Sequence, residues 1–237
     1  MPTSLLLAAV IFAAAFLQYT SGFGFALVAM PLCTLLFGVR TAAPLVALAG
    51  ITVQVINVVR FRRDINRREF LRLAASSALG VPIGVWGLSA LDADLVKTAL
   101  GILLISYGLY NLVKPHALPL IGDAWVYPVG FVAGCLGGAF NTSGPPVAVY
   151  GSLKGWQRDE FRSTLQTFFF VNSFMVIAGH LTAGHYSREV LTSYLVAVPA
   201  LLLGNFAAAR LDHKISASIF RTIVAAMILI SGIVLIV

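Results

Sequence analysis

Charge is what this sequence has least of. Charged residues fill 11% of its 237 positions, where a soluble globular domain carries about 25%. The nine acidic residues, Asp64, Glu69, Asp92, Asp94, Asp123, Asp159, Glu160, Glu189 and Asp212, all fall in loops or at the ends of apolar runs. Carboxylates at mid-span are a common means of carrying a cation or a proton across a bilayer, so their absence argues against a cation carrier or a proton pump. Cysteine is nearly absent too. Cys33 and Cys135 lie inside apolar stretches, outside any CxxC pair, and read as small hydrophobes rather than a disulfide or a metal site. There is no GxxxxGK[ST] phosphate loop, no dinucleotide fingerprint and no HExxH. Four scattered histidines and no acid expected in the interior leave no nucleophile–base pair and no set of metal ligands. These absences exclude a nucleotide site of the chain's own, point away from a membrane enzyme, and require no cofactor.

What is there is apolar sequence in long blocks, 59% of the chain in all. A helix needs about 20 mostly apolar residues to cross a bilayer, and residues 95–113, 168–183, 191–209 and 215–237 approach or reach that length. The chain therefore reads as an integral membrane protein with at least six crossings and the lipid bilayer as its surroundings. A formal net charge of +7 would suggest nucleic acid in a soluble domain. Here the basic residues gather in a few short loops, where they set orientation, and no nucleic-acid partner is expected. The first apolar block, residues 5–17, lacks a basic segment before it, and the pattern resumes directly after Ser21. It reads as part of the mature chain rather than a secretion signal.

The blocks fall into two similar halves. Residues 1–113 form the first, residues 114–124 a proline-containing linker, and residues 125–237 the second. Each half opens on an apolar segment broken by a glycine-rich polar element, and three uninterrupted spans follow. Pro82 and Gly87 recur as Pro199 and Gly204, both 117 positions later, and Asn57 recurs as Asn172 after 115. Internal repeats with discontinuous helices are a recurring transporter plan. The predicted fold class is all-α: a polytopic transmembrane bundle of two inverted repeats, each a broken helical hairpin followed by three transmembrane helices.

The arginines decide how the broken segments run. If each crossed once, the basic loops 60–72 and 210–214 would lie on opposite sides, against the positive-inside tendency. If each goes in and returns as a hairpin of arms of about 13 to 18 residues, too short for full spans, 13 of the 16 basic residues fall inside. Only Arg40, Lys97 and Arg188 stay outside, beside Asp92, Asp94 and Glu189. The hairpin arrangement is therefore predicted, with both termini outside the cytoplasm. Non-helical backbone at membrane depth is tolerated only inside protein or around a watery cavity, so the two breaks should face each other.

The interior polar residues are neutral: Gln18, Thr20, Ser21, Gln54, Asn57, Asn141, Thr142, Ser143, Gln166, Thr167, Asn172 and Asn205. Amides and hydroxyls donate hydrogen bonds, and the helix starts after each break expose backbone N–H groups that favour anions. The candidate substrate site is Ser21, Gly22, Phe23 and Gly24 facing Asn141, Thr142, Ser143 and Gly144, with Gln54, Asn57, Gln166 and Asn172 around them. Plainer readings stand beside this one. Gly22, Gly24, Gly137, Gly138 and Gly144 suit close helix packing as well as exposed backbone. Pro145 and Pro146 restart a helix, and the buried amides also serve as interhelical hydrogen-bonding glue. His180 is the histidine inside a span and the side-chain candidate for proton coupling, although a lone histidine there is more often an interfacial hydrogen-bonding residue. Trp86, Trp125, Trp156, Tyr127 and Tyr186 read as interface anchors.

The run Ser21-Gly22-Phe23-Gly24 with Pro31 beyond it, and the run from Gly137 through Asn141-Thr142-Ser143-Gly144 to Pro145-Pro146, resemble the two signature breaks of the sulfite exporter TauE/SafE family of membrane permeases. The two-half layout and the basic loop after the second block match as well, so the resemblance spans essentially the whole chain. It implies a secondary transporter and exporter in the cell inner (plasma) membrane, moving a small inorganic or organic anion such as sulfite or sulfoacetate. The substrate would sit at the two breaks, with a proton or sodium ion as candidate coupling ion and a homodimer as candidate assembly. Ala139-Phe140 stands where many relatives carry smaller residues, and Phe140 would narrow the cavity there. The rival functions are a passive anion channel and a non-transporting membrane partner of a sulfur-metabolism complex.

Overall fold

Pro2–Ser21 carries twenty residues without a charge and forms helix α1, which stops because Gly22 and Gly24 take φ of +86° and +109°. That left-handed region is open to glycine and costly for other residues. The computed structural model describes residues 2–60, 64–113, 121–211 and 217–236. After the break come α2 (Phe25–Phe37), α3 (Val39–Arg60), α4 (Arg67–Ala90) and α5 (Ala93–Val113). A 3-10 turn at Asp123–Trp125 leads into α6 (Val126–Phe140), α7 (Gly144–Leu153), α8 (Arg158–Thr182), α9 (Arg188–Leu211) and α10 (Ala217–Ile236). Side chains close several starts. Asn66 accepts from the Glu69 N–H at the head of α4, and Asp92 from Asp94 and Leu95 at the head of α5, each satisfying a donor that the helix leaves open.

The chain is thus an all-α polytopic membrane bundle. Six helices, α1, α3, α4, α5, α8 and α9, have described stretches long and apolar enough to cross a bilayer. Large apolar side chains such as Leu79, Trp86, Leu195, Leu203 and Phe206 are exposed on them, as lipid-facing surfaces require. Two of the four arms at the breaks, α1 and α7, depart from the predicted lengths. α1 has 20 residues and is itself as long as a span, at about 30 Å; α2 has 13, α6 has 15 and α7 only 10. Residues 114–120 of the linker and Lys214 lie outside the described residues.

Helices meet in three principal pairs, α4 with α6, α1 with α9 and α5 with α10, followed by α4 with α8, α2 with α3 and α3 with α8. Glycine makes the first pair close. Gly80 and Gly84 of α4 lie against the backbone at Phe131 and Cys135 of α6, while Gly134 and Gly138 lie against the backbone of Ser77 and Val81. No Cβ fits at any of the four, as in small-residue helix contacts generally. Phe140 belongs to the main apolar core with Leu88 and Ala197. It does not narrow a cavity as expected from the sequence.

Two polar clusters mark opposite ends of α4. At its start Glu69 is buried, which the sequence did not lead us to expect of any acid. Its carboxylate accepts from the Tyr150 hydroxyl of α7, with Arg72 at 4.0 Å. Asn66 donates to Glu160 of α8, and Asp123 pairs with Lys154 and with Arg68 and Arg72. The hydrogen bond from Lys154 holds the Asp123 carboxyl below its ordinary pKa. Trp156 packs edge-on to Tyr150 in this cluster. At the other end, about 30 Å away along α4, Arg40 donates to the carbonyls of Ser89 and Leu91.

Candidate anion-binding site

The two breaks come together around one cavity. Phe23, Gly24 and the first turn of α2 line one side; Asn141, Ser143, Gly144 and Pro145 line another. Gln54 from α3 and Phe169, Asn172 and Ser173 from α8 complete the wall, with Gln18 from α1. Among the described residues the lining holds no charged side chain.

Gln18, like Phe169 and Ser173, lines the cavity without having been singled out for the site by the sequence. Its Oε1 accepts from the Phe25 N–H at 2.9 Å, across the break. A backbone N–H requires an acceptor, which fixes the amide's orientation and leaves Nε2 as the free end. That donor is buried without a partner in a residue 2% exposed. The signal in the sequence was its place one turn before the glycines, but its role depends on the path the break takes. Among the described residues no hydrogen bond closes the N–H groups of Ala26 and Leu27, which stand at the start of α2 beside the cavity.

The second break is built differently. Asn141 stands at φ 55°, the non-glycine residue with positive φ among those described. Its N–H bonds the Gly137 carbonyl and the Thr142 N–H bonds that of Leu136, the paired closure of a left-handed helix end. Its side chain donates to the Ala43 carbonyl of α3 at 2.7 Å. Asn172 accepts from Ser77 at 2.6 Å, and its Nδ2 lies 2.8 Å from where a Cβ of Gly137 would stand. Gly137 therefore makes room for Asn172, whereas Gly138 serves helix packing.

Gly22, Asn57, Thr142 and Gln166 of the sequence-predicted set stand apart from the lining. Gln166 is fully buried in α8 and donates to the Gly22 carbonyl, bracing the first break. Asn57 is fully buried with neither amide atom partnered, and Thr142 is buried with its hydroxyl unpartnered. The Ser21 side chain lies outside the described ones.

His180 is not alone. The chain turns back at Gly184 (φ +72°), and His180 Nδ1 meets His185 Nδ1 at 2.8 Å. His185 Nε2 in turn meets the Ser89 hydroxyl at 2.8 Å, and the Tyr186 ring stands edge-on to His180. Burial, then Arg40, holds the His185 imidazole below its ordinary value of 6.5. An unfolded chain therefore takes up this proton first as pH falls through about 6.5, so the folded form loses stability in acid. The thermal midpoint in detergent is expected to drop on acidification below that value, and His185→Gln to flatten the drop.

The sequence profile of the family described as Sulfite exporter TauE/SafE matches residues 7–235. The chain belongs to the sulfite exporter TauE/SafE family. A relative in Cupriavidus necator (strain ATCC 17699 / DSM 428 / KCTC 22496 / NCIMB 10442 / H16 / Stanier 337), named "Probable sulfite/organosulfonate exporter TauE", is 24% identical over 225 residues, covering 92% of this chain and 87% of the relative. No solved structure matches. The TauE/SafE family is one of membrane transporters rather than enzymes. Among the described residues no three His, Cys, Asp or Glu side chains gather into a metal cluster.

Proposed function

We propose that this TauE/SafE member is a secondary transporter, an exporter, that carries a small anion by alternating access through the cavity between its two breaks. The observation that carries this is the set of uncommitted donors around a neutral cavity: Gln18 Nε2 and the open N–H groups at the start of α2. Pro145 and Pro146 have no N–H, so the start of α7 adds little to it. Anions are held by such donors at helix starts. Sulfite and organosulfonates are the substrates named for the Cupriavidus relative.

The packing supports two related halves, residues 1–113 and 125–237 joined by the linker. Exchanging each helix for the one five places along turns the pair α4–α6 into α9–α1 and returns α5–α10 and α3–α8 to themselves. With the halves inverted and the basic loops inside, the Glu69 end faces the cytoplasm, both termini face outward, and the membrane is the inner (plasma) membrane. His180, whose Nε2 is buried without a partner, is the proton carrier in this scheme.

The test is flux of sulfite and methanesulfonate in proteoliposomes. Saturable flux that follows a proton gradient is expected. Flux that follows sodium instead would remove His180 from the scheme, linear unsaturable flux would indicate a channel, and no flux from folded protein would end the transporter reading. Asn141→Ala is expected to impair flux at preserved insertion, because it removes the bond to Ala43 and leaves a side chain at a φ that costs about 1 kcal/mol. Asn141→Gly should restore the turn without the bond, and measuring both separates the two contributions.

A further inference from the structure

Resting on the transport reading, we infer that Phe169 is a specificity-determining residue of the cavity and sets how large an organic group the anion can carry. Phe169 of α8 and Gln54 of α3 both line the cavity. They stand 115 positions apart, the offset that also joins Asn57 to Asn172. Related places in the two halves thus hold an amide in one and an aromatic ring in the other. Phe169, Asn172, Ser173 and Val176 line the cavity together from one face of α8. The far edge of the Phe169 ring fixes where it points: Cζ and Cε1 lie 3.3 and 3.7 Å from where a Cβ of Gly144 would stand. Gly144 lines the cavity too, at the second break. The ring therefore reaches that break and closes the wall there, and glycine at position 144 leaves the room for it.

Phe168 is the contrast. It is fully buried in the same apolar cluster, its ring centroid 6.0 Å from that of Phe169, yet it is not part of the lining. Phe168 only fills the core, while Phe169 fills it and also walls the cavity. N–H donors hold the charged head of an anion whatever group it bears. Among small sulfonates the difference is the alkyl group, and each methylene buried where there is room strengthens binding roughly fourfold. A close-packed wall reverses that sign, because a ring already set against Gly144 yields only by repacking its neighbours. One methylene of misfit in an apolar pocket changes selection roughly 10- to 200-fold.

The experiment compares proteoliposome flux of methanesulfonate and butanesulfonate, equal in charge and different in alkyl length, and reads the ratio of their kcat/KM values. The wild type is expected to favour methanesulfonate, and Phe169→Ala to raise the ratio of butanesulfonate to methanesulfonate about tenfold or more. Phe169→Leu should shift it the same way by less, and serves where the alanine variant does not fold. Gly144→Ala, whose methyl would press on the ring, should lower the ratio. Phe168→Ala should lower Tm and leave the ratio at its wild-type value, which separates a specificity role from a loosened core. A wild type that already favours butanesulfonate, an unchanged ratio in the folded Phe169 variant, or an equal rise in Phe168→Ala would overturn the inference. Ligand-induced shifts in Tm, read as the difference between Phe169→Ala or Phe169→Leu and the wild type, make the same comparison without transport. A larger gain with butanesulfonate than with methanesulfonate upholds it where no flux is seen, and in that case only the transporter reading fails. Equal gains with both ligands, or none, overturn it.

Discussion

Gln18→Glu is expected to abolish anion flux near neutral pH while leaving the protein inserted and monodisperse. The substitution keeps an oxygen to accept from the Phe25 N–H at 2.9 Å, so the start of α2 stays closed. What changes is the other end, where a buried, unpartnered donor becomes a negative oxygen in a residue that lines the cavity. An uncompensated charge in such a site costs several kcal/mol, and a like charge beside the ligand adds to it, so affinity should fall on the order of 100-fold or more. Acidification that protonates the introduced carboxyl gives back an O–H donor, and partial recovery of flux is expected there. Gln18→Leu, which loses both the cap and the donor, should show no such recovery. Flux at wild-type level in Gln18→Glu would move the substrate away from the breaks.

Gly134→Leu should have the largest effect on folding. A Cβ at Gly134 would meet the Ser77 backbone of α4, and Gly80, Gly84 and Gly138 are as tightly set in the same seam. Backbone cannot swing aside as a side-chain tip does, so the whole α4–α6 pair must separate. Overpacking costs about 1–3 kcal/mol even where side chains can yield. Loss of the monodisperse peak in detergent and rapid proteolysis are expected. Gly122→Leu, where nothing lies within 4 Å, is the matched control and should behave as wild type. A monodisperse Gly134→Leu protein would show that the seam tolerates separation.

The helices themselves were legible because apolar runs and glycine or proline breaks write membrane segments plainly. Boundaries were less so. α8 begins at Arg158, before the apolar run, since Asp159 and Glu160 suit the positive start of a helix yet look like loop in sequence. The facing of the two breaks followed from the cost of bare backbone in lipid, and Gln54, Asn141, Ser143, Gly144 and Asn172 do line one cavity. What sequence hid were pairings made across distance. Glu69 meets Tyr150 from 81 positions away, and His185 reaches His180 only through the reversal at Gly184. Asn57 and Gln166, counted with the site by spacing, are instead buried beside it.

Each break is tied to the opposite half. Gln166 of the second half grips the Gly22 carbonyl of the first, and Asn141 of the second grips Ala43 of the first. Such cross-bracing makes the pocket a cassette whose walls cannot be pulled apart without breaking buried bonds on both sides at once. The Glu69–Tyr150 and Arg40–Ser89 contacts lie outside that cassette, at the two ends of α4.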